Sequence, residues 1–286
     1  MDPNSAPNSS NQKQGKVRIY VVQRYPRILD LEHGVQTAIE EIATAAKARA
    51  NLITFHETWL TGYPAWYKRL VEASPTASSS HISRIRDSAR ENNVEVILGF
   101  NERARETGGT IYNSVRMIGP DGSLRGVHRK LTPMHAERLI WANGDAQGLK
   151  AYDTSSGRIG AAVCWETSIL LIRQALHNED EQIHIALWPD MPSAHQIASR
   201  EYAFEGRCFV VAAASYLDNE SVPPELLEAY VKGAGSTDLF IGGSSVIGRM
   251  DSKLQTLAYK HDLDVAGHFG RPDIFKLLVD REGDHR

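Results

Sequence analysis

Short apolar runs alternate with amphipathic stretches along most of the chain. Residues 17–22, 52–55 and 94–100 are rich in β-branched and other apolar residues, and each run predicts a buried strand. Between the first two runs, apolar residues recur at helical spacing from Val35 to Ala46, which predicts an amphipathic helix. A strand, a helix and a strand in close succession predict a parallel β-α-β unit.

The second half of the chain repeats this alternation. The predicted strands and helices there are 159–163, 169–177, 183–188, 193–205, 208–214 and 240–247. Between the two halves, residues 110–118 and 123–130 flank a Pro120-Asp121-Gly122 turn and predict a β-hairpin. Two strand-rich halves with interspersed helices predict an α/β domain in which two sheets face each other and helices cover the outside.

The N-terminus and one internal segment depart from this pattern. Residues 1–15 are mostly Asn, Ser, Pro and Gln, and we expect a disordered tail because they offer almost nothing to bury. Residues 16–286 are then predicted to be a single domain, which is long enough to bury a substantial core. Within it, residues 217–236 are predicted to be a polar insertion with a short helical centre.

Composition argues against several classes of protein. The net charge of -3 leaves no basic footprint, so nucleic acid is not an expected partner. No apolar run has membrane-spanning length and the N-terminus has no signal-peptide core, so no membrane contact is expected. Cys164 and Cys208 do not make a disulfide framework, which predicts a reducing, cytoplasmic location. No cluster of Cys and His has the spacing of a zinc site, so no metal is expected.

Three ionisable residues follow predicted strands. Glu57 comes after strand 52–55, Lys130 ends the second hairpin strand, and Cys164 follows strand 159–163. Open α/β sheets place their chemistry at the carboxyl ends of strands, so one rim of the fold could gather all three side chains. Each residue alone has an ordinary structural explanation, as core, helix cap or solvated surface charge. Their joint occurrence is what favours an active site.

A thiol, an amine and a carboxylate make chemical sense together. The thiolate is the nucleophilic form of cysteine, and a free thiol is largely protonated at neutral pH. The Lys130 ammonium would lower the pKa of the Cys164 thiol, and it could also stabilise negative charge that develops on a substrate. The Glu57 carboxylate could accept the thiol proton.

Aromatic residues near these positions predict the walls of a pocket. The segment after the candidate glutamate contains Trp59, Tyr63 and Trp66 together with Gly and Pro, which is typical of a lining loop. A carboxylate in such a pocket would be desolvated, and its pKa would rise toward neutral pH. Trp188 and Pro189 end another strand on the same predicted rim and could line the pocket as well.

Two residues that directly follow the candidate nucleophile have two possible roles. Trp165 and Glu166 could form a pocket wall and support the reacting groups, or they could be core packing and a cap. The other cysteine, Cys208, lies in an apolar run and is predicted to be plain core.

The motifs around these residues resemble the nitrilase, or carbon–nitrogen hydrolase, superfamily. The segments that carry the resemblance are Phe55–Pro64, His128–Pro133 and Val163–Glu166, which hold the glutamate, the lysine and the cysteine in the family's order. The Cys-Trp-Glu sequence and the segment His135–Trp141 are similar to the nitrilase branch. The resemblance extends from about residue 17 to residue 277.

The resemblance implies a four-layer α-β-β-α sandwich and the hydrolysis of an organic nitrile to a carboxylic acid and ammonia. Cys164 would attack the nitrile carbon, Glu57 would act as the base, and Lys130 would stabilise tetrahedral intermediates. A second glutamate, matched by Glu137, would position the lysine or the substrate. The resemblance also implies that no metal or organic cofactor is needed, and that copies of the chain associate as dimers or larger spiral oligomers.

Two other functions stay open at this point. An amidase of the same superfamily would use the same residues, and an inactive member would act as an oligomerising or binding protein. The second alternative gains weight from two departures from the family pattern. Residues 167–170 differ from the usual sequence after Cys-Trp-Glu, and a strand or hairpin is predicted to be missing between residues 248 and 264.

Overall fold

The computed structural model describes residues 16–24, 27–63, 69–217, 222–227, 240–247 and 276–281. The predicted tail, most of the predicted insertion and the segment with the predicted deletion lie outside the described residues. Within the described part, no helix has both the length and the apolar character needed to cross a membrane.

The first five strands form one mixed sheet. They are β1 (Ile19–Val21), β2 (Leu52–Thr54), β3 (Glu95–Arg103), β4 (Ile111–Ile118) and β5 (Leu124–Arg129), hydrogen-bonded in that order. β1, β2 and β3 are parallel, whereas β4 is antiparallel to both of its neighbours. β5 therefore runs in the same direction as β2, and their carboxyl ends lie at the same edge of the sheet. The β4–β5 pair confirms the predicted hairpin.

A second five-stranded sheet contains most of the later strands. The described strands after β5 are β6 (Tyr152–Thr154), β7 (Gly157–Val163), β8 (Ile183–Trp188), β9 (Phe209–Ala214), β10 (Tyr216–Leu217), β11 (Phe240–Ile241) and β12 (Ser245–Ile247). The sheet has the order β12-β9-β8-β7-β6, while β10 and β11 pair separately as a two-stranded ribbon. β7, β8 and β9 are parallel, and β6 and β12 are antiparallel at the two ends.

The prediction of one continuous strand over residues 240–247 is wrong. β11 pairs with β10, whereas β12 pairs with β9 in the larger sheet. Between them, Gly242 and Gly243 have φ of 77° and 102°, a left-handed region that favours glycine and breaks an extended strand. β6 was not predicted, because its three residues are only partly buried and carry no clear apolar pattern.

Helices lie on the outer faces of both sheets. They are α1 (Leu31–Lys47), α2 (Leu70–Ala73), α3 (Ser80–Asn92), α4 (Leu170–His177) and α5 (Ser193–Gly206). The side chain of Asp30 caps α1 by accepting from the amide of His33, 3.0 Å away. Ser79 caps α3 in the same way. Both helices thus begin at residues whose side chains satisfy an otherwise unpaired amide.

Apolar side chains fill the space between the layers. Leu52, Ile97 and Val115 of the first sheet pack against second-sheet residues such as Val163 and Ile185, and all are buried. A separate apolar cluster joins α1 and α3 to the first sheet, and another joins α4 to β7. The order helix, sheet, sheet, helix confirms the predicted α-β-β-α sandwich. Burial of each such side chain contributes about 1.5–3 kcal/mol.

Candidate active site

Three residues with left-handed backbone lie at the segments that carry the candidate chemistry. Thr58, His135 and Cys164 have φ of 53°, 46° and 57°, which is uncommon for residues other than glycine. Such strained positions concentrate at functional sites, where the surrounding structure holds them in place. Cys164 itself stands at the sharp change from β7 into a 3-10 turn, Cys164–Ser168.

Glycine allows the glutamate segment to approach the sheet closely. A Cβ on Gly99 of β3 would lie 2.1 Å from the carbonyl oxygen of His56 and 3.0 Å from the Cα of Glu57. Only glycine fits at this position without moving the backbone. Glu57 is fully buried, and its Oε1 accepts a hydrogen bond from Nδ2 of Asn113, 2.6 Å away on β4. Its Oε2 has no hydrogen-bond partner in the described part of the chain.

Lys130 lies immediately after β5, at the same sheet edge as Glu57. Its backbone amide donates to the carbonyl oxygen of Asn113 at 2.8 Å, and the amide of Gly144 donates to the Lys130 carbonyl at 2.8 Å. A Cβ on Gly144 would lie 2.1 Å from the carbonyl oxygen of Arg129. The backbone on both sides of Lys130 is therefore held by hydrogen bonds and close packing.

Four candidate residues meet at this edge, and we call them the candidate cluster: Glu57, Lys130, Glu137 and Cys164. Lys130 Nζ lies 3.3 Å from Glu57 Oε1 and donates to Glu137 Oε1 and Oε2 at 2.9 and 2.8 Å. One carboxylate oxygen of each glutamate and the Cys164 sulfur lie within 4.8 Å of one another. Residues that are 73 positions apart in sequence are thus in hydrogen-bonding range.

Glu137 is fixed by its own 3-10 turn, His135–Leu139. Its Oε2 accepts from the backbone amide of Met134 at 2.6 Å, and its Oε1 accepts from the hydroxyl of Tyr63. Together with Lys130, three donors orient this carboxylate. Tyr63, which was predicted to line the pocket, therefore also holds the second glutamate.

The electrostatics of the cluster favour Glu57 as a base. Burial raises the pKa of Glu57 to about 7; the Lys130 ammonium opposes this rise, and the Glu137 carboxylate adds to it. A general base works best when its pKa lies near the operating pH. Burial and the Glu137 carboxylate together outweigh the Lys130 ammonium, so Glu57 is not held fully ionised.

The pKa of the Cys164 thiol is raised overall, although a lysine lies beside it. Burial, together with the negative charge of Glu57, raises the pKa of Cys164 well above its ordinary value, and Lys130 only partly offsets this. Lys130 thus lowers the thiol pKa as predicted, but burial and the neighbouring carboxylates outweigh this effect. Burial alone would also lower the pKa of Lys130, but Glu57, Cys164 and Glu137 raise it instead, so the ammonium stays charged. A protonated thiol needs a base as it attacks, and Glu57 is within reach.

The same donor set could in principle bind a metal ion. Glu57, Glu137 and Cys164 offer two carboxylates and a sulfur within 4.8 Å of one another. Lys130 Nζ, at 2.8 and 3.3 Å from the two carboxylates, already supplies a positive charge at that point. The two carboxylates of this group are therefore already paired with a cation that the protein supplies. Elsewhere on the surface, a polar groove of about 500 Å³ is lined in part by Arg158 and Glu179 and contains no residue of the candidate cluster.

Two of the predicted substrate-binding residues are buried among protein groups. Trp59 is fully buried in the apolar cluster beneath α1, and its indole N–H donates to the carbonyl of Gly34 at 3.2 Å. It is a core residue and does not line a pocket. Glu166 is also fully buried, and both of its carboxylate oxygens accept hydrogen bonds from protein donors. Both oxygens are thus held by protein groups, and a role of Glu166 in substrate binding stays a prediction.

Two of the remaining predicted pocket residues contact His195 of α5. Trp188 is fully buried and stacks on the His195 ring with 4.1 Å between centroids, and Trp165 meets the same ring edge-on at 5.6 Å. Trp165 is 41% exposed, whereas Pro189 is buried and its carbonyl accepts from the hydroxyl of Ser215. A role of these residues in substrate binding stays a prediction. Trp66, also predicted to line the pocket, lies outside the described residues.

Two residues of the site were not anticipated. Asn113 holds Glu57, and a polar residue in the middle of the apolar run of β4 is a signal that could have identified it. His128 is fully buried beside Glu166, with 2.8 Å between Nε2 and Oε2. Its position in His128-Arg129-Lys130 suggested a solvated basic face instead.

Comparison with known proteins assigns the chain to a family. The family model described as carbon-nitrogen hydrolase matches residues 18–254, which is most of the chain. The chain belongs to the carbon–nitrogen hydrolase family. It is therefore a hydrolase that acts on carbon–nitrogen bonds, and the α-β-β-α sandwich agrees with this assignment.

Individual relatives of this carbon–nitrogen hydrolase are named as nitrilases. It is 32% identical to a nitrilase from Pseudomonas syringae pv. syringae, over 92% of this chain and 89% of the relative. It is 29% identical to an aliphatic nitrilase from Rhodococcus rhodochrous, over 93% and 80% of the two chains. Among solved structures, an amidase from Nesterenkonia sp. AN1 shares the fold with a TM-score of 0.67 at 15% identity, covering 82% of this chain and 86% of that one.

Proposed function

We propose that the protein is a nitrilase that converts an organic nitrile to its carboxylic acid and ammonia. The observation that carries the proposal is the candidate cluster, in which the Lys130 ammonium is in hydrogen-bonding range of two carboxylates and the Cys164 sulfur lies within 4.8 Å of an oxygen of each. The named nitrilases at about 30% identity over most of the chain support the same choice. The proposed substrate is a small organic nitrile.

The first half of the proposed reaction forms a covalent thioimidate. Cys164 gives its thiol proton to Glu57 while the sulfur bonds to the nitrile carbon. The triple bond becomes a C=N bond, and the nitrogen takes up a proton. Lys130 lies beside the reacting atoms and stabilises the negative charge that develops on nitrogen. Glu57 is suited to the proton transfer because its pKa of about 7 lets it accept a proton and release it again.

The second half consumes two water molecules. The first water adds to the thioimidate carbon with Glu57 as base, which gives a tetrahedral intermediate, and ammonia leaves to give a thioester. The second water attacks the thioester carbon, the C–S bond breaks, and the Cys164 thiol is restored. Glu137 keeps the Lys130 ammonium in place throughout, because it bonds Nζ through both oxygens. The net reaction is a nitrile plus two waters to an acid plus ammonia.

A direct test measures ammonia, acid and amide from a panel of aliphatic, aromatic and arylaliphatic nitriles and the corresponding amides. We expect ammonia and acid from at least one nitrile, and loss of turnover in Cys164→Ala. The matched control is Cys208→Ala, since Cys208 is the other buried free cysteine. Turnover of amides alone would indicate an amidase of the same family. No turnover of any panel member, with Cys164 no more reactive than Cys208, would indicate an inactive binding protein.

We also propose that copies of the chain pair through the outer face of α4 and α5. Four apolar side chains on these helices are exposed by 44–65%: Leu170, Leu171, Ile197 and Phe204. Apolar residues grouped on one surface mark interaction sites more often than scattered ones do. The predicted dimer or spiral oligomer would cover them.

The pairing proposal is tested by changing the charge of that face. Leu171→Glu is expected to convert an oligomer to monomers, as measured by sedimentation velocity. The matched control is Leu124→Glu, an exposed leucine on β5 away from both helices. An assembly that survives Leu171→Glu unchanged would contradict the proposed face.

A further inference from the structure

One carboxylate connects the nucleophile segment to the lysine segment. Glu166 Oε1 accepts from the backbone amide of Leu131 at 2.8 Å, and Glu166 Oε2 accepts from the amide of Val163 at 2.9 Å. The same Oε2 lies 2.8 Å from Nε2 of the buried His128. Glu166 is thus fully buried with three donors around it.

The donors belong to different sheets. Leu131 directly follows Lys130 at the end of β5 in the first sheet, while Val163 directly precedes Cys164 at the end of β7 in the second. A single rigid side chain therefore spans the two peptide segments that present the ammonium and the thiol. Among the described strands the two sheets share no backbone pairing, so side-chain links of this kind help to fix their relative position at the site.

We propose that Glu166 is a positioning residue that sets the placement of Cys164 relative to Lys130 and Glu57. Glu166 contacts no reacting atom in this role and acts through the two backbone amides. The kinetic part of the inference rests on the proposed function, whereas its effect on thiol reactivity does not. Misplacement of reacting groups by about 1 Å can reduce the rate about a hundredfold.

His128 lets the carboxylate stay ionised in a buried place. Burial alone would lower the pKa of His128, but the Glu166 carboxylate raises it above its ordinary value. Burial likewise raises the pKa of Glu166, and His128 with the two backbone amides lowers it overall. An ionised carboxylate can accept hydrogen bonds through both of its oxygens. Glu166 needs both, because the amide of Leu131 donates to one oxygen and the amide of Val163 donates to the other.

Glu166→Gln is the sharpest variant because an amide has only one acceptor oxygen. In either orientation, its NH2 group faces one of the backbone amides of Leu131 and Val163, and one of these hydrogen bonds is lost. We expect kcat to fall about tenfold or more. We expect KM to change by less than about threefold, because Glu166 does not touch substrate. The rate constant for alkylation of Cys164 by iodoacetamide, per folded molecule, should fall by a similar factor to kcat.

Glu181→Gln is the matched control. Glu181 is also a fully buried glutamate beside a histidine, with 3.0 Å between Oε2 and Nδ1 of His184, but it lies away from the candidate cluster. Its substitution should lower stability and leave both kcat and Cys164 alkylation unchanged. A Glu166→Gln protein that is less stable, yet has wild-type kcat and alkylation rate per folded molecule, would overturn the inference.

His128→Gln provides a second variant if Glu166→Gln does not fold. It keeps an N–H donor for Glu166 and removes the imidazole, so alkylation of Cys164 should slow by several-fold. An unchanged rate in folded His128→Gln would count against the inference. Wild-type protein that turns over no nitrile or amide would refute the proposed function, while the alkylation rates would still decide whether Glu166 positions the thiol.

Discussion

The candidate cluster and a second buried cluster differ in how their charges are balanced. The second one, termed the histidine cluster, consists of His177, Glu181, His184 and Tyr202 between α4, β8 and α5. Glu181 accepts from the hydroxyl of Tyr202 and lies 3.0 Å from His184 Nδ1 and 3.5 Å from His177 Nδ1. One carboxylate has three partners there, whereas in the candidate cluster two carboxylates share one ammonium.

This difference decides which carboxylate can react. Burial raises the pKa of both glutamates, but the two histidines outweigh it at Glu181, whose pKa falls to about 2. At Glu57 burial prevails, and the pKa rises to about 7. Glu57 Oε2 also has no hydrogen-bond partner among the described residues, while both oxygens of Glu181 are engaged. Equal burial therefore gives a structural acid in one cluster and a potential base in the other.

The largest effect is expected from removal of the proposed base. Glu57→Gln should reduce kcat about 10³-fold, because the amide cannot take the thiol proton and Cys164 stays protonated at neutral pH. The protein should remain folded, since Gln keeps an acceptor for Asn113 and relieves the crowding of carboxylates. Single-turnover measurement of product formation checks this. A variant within tenfold of wild type would show that another group accepts the proton.

Removal of the structural acid should affect stability and leave catalysis unchanged. Lowering the pKa of Glu181 from 4.5 to about 2 corresponds to about 3 kcal/mol. Because the folded pKa is below the unfolded value, this contribution is present above pH 4.5 and is lost as the pH falls toward 2. Urea unfolding of Glu181→Gln at pH 7 should show a decrease of this size. A variant as stable as wild type would mean that the histidine cluster contributes nothing net.

The pH dependence of the reaction should follow Glu57. Its ionised form is the active base, so kcat/KM should rise about tenfold per pH unit below pH 7 and level off above it. Measurement of kcat/KM between pH 5 and 9 would locate this rising part of the pH profile, termed the acidic limb. Glu181→Gln should keep the limb, and Glu57→Gln should remove it. A limb near 4.5, the ordinary value for glutamate, would show that burial does not raise the pKa of Glu57.

Most of the fold follows from local patterns, and the exceptions have physical reasons. The strand over Ile183–Trp188 was predicted with its correct bounds because it is an uninterrupted buried run. The break at Gly242 and Gly243 was missed because an apolar run does not reveal which sheet each half joins. Pairing partners are distant in sequence, and only the folded structure specifies them.

The site shows the same limit at the level of side chains. The sequence places Glu57, Lys130 and Cys164 at strand ends, and the structure brings them together. The sequence does not indicate which way the Trp59 side chain points. Thr58 has a left-handed backbone, and the indole that follows it lies under α1, bonded to Gly34. The net rise in the pKa of Cys164 could not be predicted, because the sequence indicates a nearby lysine but reveals neither how deeply the thiol is buried nor how close the two carboxylates lie.

The smallest expected effect tests how far the charge balance extends beyond the cluster. The Tyr63 hydroxyl donates to Glu137, which in turn holds Lys130, so Tyr63→Phe removes one of the three donors that orient this carboxylate. A hydrogen bond to a charged group contributes about 1.5–3 kcal/mol, which corresponds to a roughly ten- to hundredfold fall in kcat if all of it acts on the transition state. The matched control is Tyr20→Phe, which removes a tyrosine–glutamate bond to Glu41 of α1, far from the site in the outer layer. Steady-state kinetics should show a several-fold loss for the first variant and none for the second. Equal kinetics in both would limit the positioning of Lys130 to Glu137 alone, and a loss above a hundredfold would give Tyr63 a part in the chemistry itself.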